Sequence, residues 1–172
     1  MKKLEVTLYG CAERYQGLKE IPGLDKNDPL ILHMLKMDDP WPESDEVPWC
    51  SAFLNFQCFH LGLPRSKSKK ARSWATIGWP VGGLLSAVRG FDIAVLKRGG
   101  YDGLGGGEPG LEDLEAPGHV TLFSRYEVQA LSDEDVRHWL WGLGGNQNNS
   151  VNLSRFPGER LLCLRRLWPP PE

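Results

Sequence analysis

Long apolar runs are missing from this chain: nothing in its 172 residues approaches the ~18 consecutive apolar residues of a membrane-spanning helix. A strong charge of either sign is missing too. The formal net charge is −2, which gives no general attraction to nucleic acid or to an anionic membrane surface. Cysteine is sparse, and Cys11, Cys50, Cys58 and Cys163 form no CxxC pair, so they read as free thiols rather than as a disulfide framework. The start, Met1-Lys2-Lys3-Leu4, has the lysines of a signal peptide without its apolar core, so synthesis in the cytoplasm without a leader is expected. Internal repeats and composition breaks are absent as well. The expectation is one monomeric domain over residues 1–172, with a core of about 4–167 and a loose, proline-rich tail at 168–172.

What is present starts with Pro48-Trp49-Cys50-Ser51-Ala52-Phe53. The apolar residues Phe53, Leu54, Phe56, Phe59 and Leu61 predict a buried helix from about Pro48 to Gly62, with Pro64 beyond it. Proline suits the first turn of a helix and glycine the residue after the last. Cys50 then falls in the first turn, where free backbone N–H groups and the helix dipole favour a thiolate. A small buried hydrophobe is the bland reading of the same residue.

Around this helix the pattern predicts further elements in order. Leu4, Leu8, Cys11, Tyr15 and Leu18 predict a helix over 4–16, ended by Gly17. Asp28-Pro29 reads as an N-cap and first-turn proline, opening a short helix with Leu30, Ile31, Met34 and Leu35 on one face. The acidic stretch from Asp38 to Glu46, with Pro40 and Pro42, is a loop. Trp41 and Trp49 flank it, as core or as the wall of a groove. The basic residues Arg65, Lys67, Lys69, Lys70 and Arg72 lack apolar spacing and read as a solvated linker. A short helix is expected over Ala71 to Gly78.

Strands then take over. Phe91 to Leu96 and Gly118 to Phe123 predict buried strands. The glycine-rich loop from Arg98 to Pro117 between them lacks a following Gly-Lys-Ser/Thr, so it is read as a mobile loop beside a site and not as a phosphate loop. Ser132 to Asp135 suggests a short helical turn. Trp139 to Leu143 and Asn149 to Phe156 read as two strands around Gly144-Gly145-Asn146-Gln147-Asn148, and Leu161 to Leu167 as the last. Helices first and strands later predict an α+β domain with N-terminal helices packed on an antiparallel sheet.

The order Cys50, His119, Asn146 matches a thiol, an imidazole and an amide acting together on an acyl group. Cys50 would attack, His119 would move the proton, and Asn146 would orient the ring, with Gln147 or Asn148 as alternatives for the third role. His60 lies ~15 Å from the thiol at ~1.5 Å per helical residue, and His33 sits on a surface helix. His138 is the only competitor. Cys11, Cys58 and Cys163 are expected to be buried and inert.

Val47-Pro48-Trp49-Cys50-Ser51-Ala52-Phe53, Ala71-Arg72-Ser73-Trp74, Phe91-Asp92-Ile93-Ala94-Val95, Gly118-His119-Val120 and Gly144-Gly145-Asn146-Gln147 together resemble a phage-associated branch of the NlpC/P60 and CHAP superfamily. The likeness runs from about Leu4 to Arg166. It departs at Phe91, where most relatives have glycine, and in a longer stretch from Arg125 to Trp139. The resemblance implies a papain-like fold and a cysteine peptidoglycan amidase or endopeptidase that uses no cofactor or metal. It implies Cys50 as nucleophile, His119 as base and Asn146 as third member, with Trp49, Trp74 and Gln147 as substrate contacts. The implied partner is bacterial peptidoglycan, cut in the periplasm by an endolysin-like protein or by a secreted antibacterial effector. Two other readings remain at this stage: a zinc amidase built on His119, His138 and Cys163, and a non-catalytic wall-binding or virion module.

Overall fold

Among the described residues three short α-helices form where the sequence supplies their ends. In the computed structural model, which describes residues 5–23, 26–98, 110–132 and 135–168, α1 spans Leu8–Glu13. It begins later than the predicted residue 4 because Thr7 is extended and its side chain accepts from Gly10 N at 3.0 Å, which caps the helix there. α2 (Pro29–Lys36) starts as predicted: Asp28 accepts from Leu30 N and Ile31 N, and Ile31, Met34 and Leu35 are buried. α3 (Cys50–His60) ends in a Schellman arrangement, with Leu63 N bonded to Cys58 O and Gly62 N to Phe59 O. Gly62 supplies the left-handed backbone this requires, at φ 64.

The strands are β1 (Trp79–Val81), β2 (Asp92–Lys97), β3 (Gly118–Ala130), β4 (Val136–Gln147), β5 (Ser150–Pro157) and β6 (Leu161–Arg166). They form one antiparallel sheet in the order β1-β6-β2-β3-β4-β5, so the α+β expectation holds. One face, with Ile93, Val95, Val120, Leu122, Leu143 and Val151, packs on the helices. The other carries a smaller cluster that includes Leu96, Phe123, Leu140 and Phe156. Among the described residues no helix is long and apolar enough to cross a membrane.

Three regions differ from expectation. β3 and β4 run well past β2 and form a long ribbon; at its end Leu131 N and Ser132 N bond to Asp135 O, a hairpin closure where a helical turn was expected. The mobile-loop expectation runs from Arg98 to Pro117; residues 99–109 lie outside the described residues, while 110–117 are tied down, with Ala116 N on Asp113 O and with Gly110 O and Pro117 O accepting from Arg72. The basic stretch is not a solvated linker. Ser51 Oγ donates to Ser68 O at 2.5 Å, and Asn55 accepts from Lys67 N at 3.0 Å and donates to Ser68 O at 3.1 Å. These α3 side chains tie the segment down. Arg65 and Lys69 pair with Asp38 and Asp39, so the acidic loop supplies the counter-charges. The 3-10 helix Ala71–Thr76 follows.

Candidate active site

Cys50 is the first residue of α3, and no side chain caps that helix. The N–H groups of its first turn are therefore not consumed by a capping oxygen. The helix start is locked from behind: Ser51 Oγ accepts from Trp74 Nε1 at 2.8 Å while donating to Ser68 O. Cys50 itself is 5 % exposed. Burial pushes its thiol up, and this is the largest single influence. The charge of His119 and its hydrogen bond, with the N–H groups of Val120 and Ser51, outweigh it and leave the thiol below its ordinary range.

His119 is the second residue of β3, and the chain entering that strand is held by a residue the sequence reading gave to a linker. Arg72, 1 % exposed, donates from Nε to Pro117 O at 3.1 Å and from Nη1 to Gly110 O at 2.7 Å. Its stem packs where a Cβ on Gly118 would sit, 3.0 Å away. A buried arginine on two carbonyls fixes the backbone beside the imidazole, which is what the Ala71-Arg72-Ser73-Trp74 segment does here.

Behind the ring lies Gln147, not Asn146. His119 Nε2 and Gln147 Oε1 are 3.0 Å apart. The direction of that bond follows from the other end of the amide: Gln147 Nε2 donates to Gly142 O at 3.1 Å and to Asn152 O at 2.5 Å, so oxygen faces the imidazole and Nε2 of the ring is the donor. Nδ1 is then the nitrogen left for Cys50. The switch from Asn146 has a backbone cause. Gly144 pairs with Asn152 and Gln147 with Ser150, so β4 carries one residue more than β5 between these pairs. Asn146, at φ 55, lies in that bulge, and the extra residue turns Gln147 onto the face occupied by His119. The turn itself is Asn148-Asn149, at φ 52 and 58, as a two-residue type I′ hairpin requires. Asn146 lines the same cleft as Cys50 and His119, half-buried.

The expected aromatic contacts do not line the cleft. Trp49 and Trp74 are both 0 % exposed. Trp49 donates from Nε1 to Glu20 at 2.7 Å and lies against the bulge, where a Cβ on Gly145 would meet its ring at 2.5 Å. That close approach is why glycine stands there. Trp74 backs Ser51. Both rings pack the helix start from inside. Gln147, by contrast, does line the cleft, 4 % exposed and with its side-chain oxygen on the imidazole.

The cleft has a volume of about 270 Å³, and its far wall is Phe156 with Arg98, Arg155 and Arg160. Sequence reasoning missed these arginines, which come from two separate segments that only the sheet brings together. The zinc alternative is not assembled. His138 pairs with Val128, nine residues along β3 from His119, or roughly 30 Å at ~3.3 Å per residue. It bonds to Tyr126 Oη. Cys163 packs on the helix side of the sheet, whereas the His119 ring lies beside Phe156, at 5.5 Å, on the other. Among the described residues no group of three or more His, Cys, Asp or Glu is placed to hold a metal ion.

No protein-family model, curated protein or solved structure matches this chain.

Of the remaining thiols, Cys58 is fully buried, and burial pushes it up to about 12. Cys11 and Cys163 are half-buried rather than buried as expected. Burial also raises Cys163.

Proposed function

We propose that this protein is a cysteine amide hydrolase of papain-like, NlpC/P60 or CHAP type that cuts an amide bond of bacterial peptidoglycan. The observation that carries the reading is the chain of contacts Cys50, His119, Gln147: a thiol lowered by an imidazole at an uncapped helix start, the imidazole held by an amide oxygen. In the proposed reaction the Cys50 thiolate adds to the amide carbonyl carbon. The Cys50 backbone N–H, at the helix start, faces the developing oxyanion. Collapse breaks the C–N bond, and His119 delivers its proton to the departing amine. Water, deprotonated by His119, then attacks the thioester, releasing the acid and restoring the thiol. Gln147 keeps the imidazole in one tautomer and at one angle throughout. No step requires a metal or an organic cofactor.

The proposed setting is an endolysin made in the bacterial host and delivered to the wall through a membrane pore made by another protein. Incubation with purified peptidoglycan and mass spectrometry of the fragments tests the activity and identifies the bond. New amine and carboxyl ends are expected, with none from Cys50→Ala. Chelator should have no effect. Loss of activity on chelation, restored by zinc, would overturn the thiol mechanism, and intact walls after prolonged incubation would overturn the hydrolase reading.

A further inference from the structure

The arginines on the far wall of the cleft are not equivalent. Arg155 is neutralised, with Nη2 2.5 Å from Glu127 Oε1 and its guanidinium 3.9 Å above the Trp139 ring. Among the described residues no carboxylate lies within salt-bridge distance of Arg98 or Arg160. Arg98 is exposed. Arg160 is half-buried and aimed: Nε and Nη2 both donate to Lys97 O, at 3.0 and 2.8 Å, and its guanidinium lies 5.3 Å from the centre of the Phe156 ring. Burial first, and then the positive charge of Arg98, lower its proton affinity, with Glu159 acting the opposite way. Two cations held together in a partly desolvated cleft repel unless an anion sits between them.

The Phe156 ring contacts both the imidazole and the Arg160 guanidinium. The ring distances, 5.5 Å to His119 and 5.3 Å to Arg160, put the guanidinium no more than about three extended residues from the imidazole, at ~3.5 Å per residue. Past Pro48 and Asn146 the groove continues into a second cavity of about 300 Å³, bordered by Glu20, Glu46 and Arg98 itself, so Arg98 faces both cavities.

From this arrangement we propose that Arg98 and Arg160 form a carboxylate subsite, which selects peptides bearing a free carboxylate within about three residues of the scissile amide. The inference rests on the hydrolase reading above and specifies its substrate. A carboxylate there accepts hydrogen bonds from two guanidinium groups, whereas a carboxamide carries no charge and keeps one acceptor oxygen, its NH₂ facing groups that can only donate. Amidation of the substrate's acidic residues would therefore protect it.

The experiment compares two synthetic wall peptides, identical except that every side-chain and α-carboxylate in one is a carboxamide in the other. For the wild-type protein the acid form is expected to have a KM about tenfold lower, with kcat little changed. Arg98→Gln should shrink the ratio to about twofold, Arg98→Lys should keep most of it, and Arg89→Gln, far from the cleft and paired with Glu13, should leave it unaltered. Equal KM values for the two peptides, or a ratio untouched by Arg98→Gln, would overturn the subsite. Cleavage of neither peptide would count against the proposed hydrolase instead. The subsite is then judged by calorimetry on Cys50→Ala, where salt-sensitive preference for the acid peptide supports it and equal binding refutes it.

Discussion

The ribbon of β3 and β4 carries a histidine near each end, and the two differ in what surrounds them. Both rings have a partner: His119 has Gln147, and His138 bonds to Tyr126 and stacks on it with rings 10° from parallel. His119, however, is 9 % exposed and meets the start of α3. His138 stands exposed, with the backbone of Gly158 as its close neighbour and no thiol beside it among the described residues. A hydrogen-bonded histidine is thus not by itself a site. A second element must arrive from elsewhere in the chain, with a reactive atom at its tip and a core behind it. At the near end Trp49, Trp74 and Phe53 supply that core, each 1 % exposed or less.

The comparison breaks most sharply under single substitutions. Cys50→Ala and His119→Ala are each expected to lower wall hydrolysis by about a thousandfold or more, with the fold kept by circular dichroism. His138→Ala should stay within about twofold. A strong loss from His138→Ala would mean that the far end takes part in the chemistry.

Next in size is the third residue. Gln147→Ala leaves thiol and imidazole present but misdirected, and turnover should drop by on the order of ten- to a thousandfold. Asn146→Gly should cost only a few-fold at most, since glycine accepts φ 55 without strain. The reverse ranking, measured as kcat on one wall preparation, would return the role to Asn146.

Sharpening the comparison further, the pH dependence should separate the two histidines. Because the folded Cys50 thiol lies below its ordinary range, alkylation by iodoacetamide should stay fast under the usual thiol pKa and slow only as pH falls through the lowered value. Removing His119 removes the chief lowering influences and leaves burial, the largest single one, so the midpoint in His119→Ala should move upward. His138→Ala should not shift it. An unmoved midpoint in His119→Ala would sink the ion-pair argument.

A smaller effect is expected on stability. Alanine at Gly145 would place a methyl carbon 2.5 Å from the buried Trp49 ring and 2.7 Å from Phe53 Cβ. Overpacking of this kind costs about 1–3 kcal/mol, or roughly 2–4 °C in Tm per kcal/mol for a domain of this size. An unchanged melting curve would show that the helix start and the bulge are not in firm contact. Smallest of all is the order of thiol reaction: native titration should show Cys50 first, the half-buried Cys11 and Cys163 more slowly, and Cys58 silent at neutral pH. Fast reaction at Cys58 would mean that α3 opens readily.

How much of this was legible beforehand follows from which interactions are local. Cys50 in a first helical turn, Asp28-Pro29 as a helix start, Gly62 as a helix end and His119 at the mouth of a strand were all readable, because capping and strand alternation act over a few residues. The α+β order was readable for the same reason. The amide was not. One extra residue in β4 reverses the facing of every side chain after it, and whether a bulge forms depends on the pairing with β5 and on Trp49 and Phe53 pressing against Gly145. Charge misled in the segment from Arg65 to Arg72, since a basic run looks solvated until Asp38, Asp39 and the carbonyls of Gly110 and Pro117 are brought to it. Trp49 and Trp74 could have been groove or core on composition alone, and only packing put them inside. By itself the sequence determined most of the elements and the Cys50 and His119 candidates, through interactions a few residues long. The tertiary structure decided which amide holds the imidazole and which arginines face the thiol, because both depend on atoms that meet only when distant strands pair.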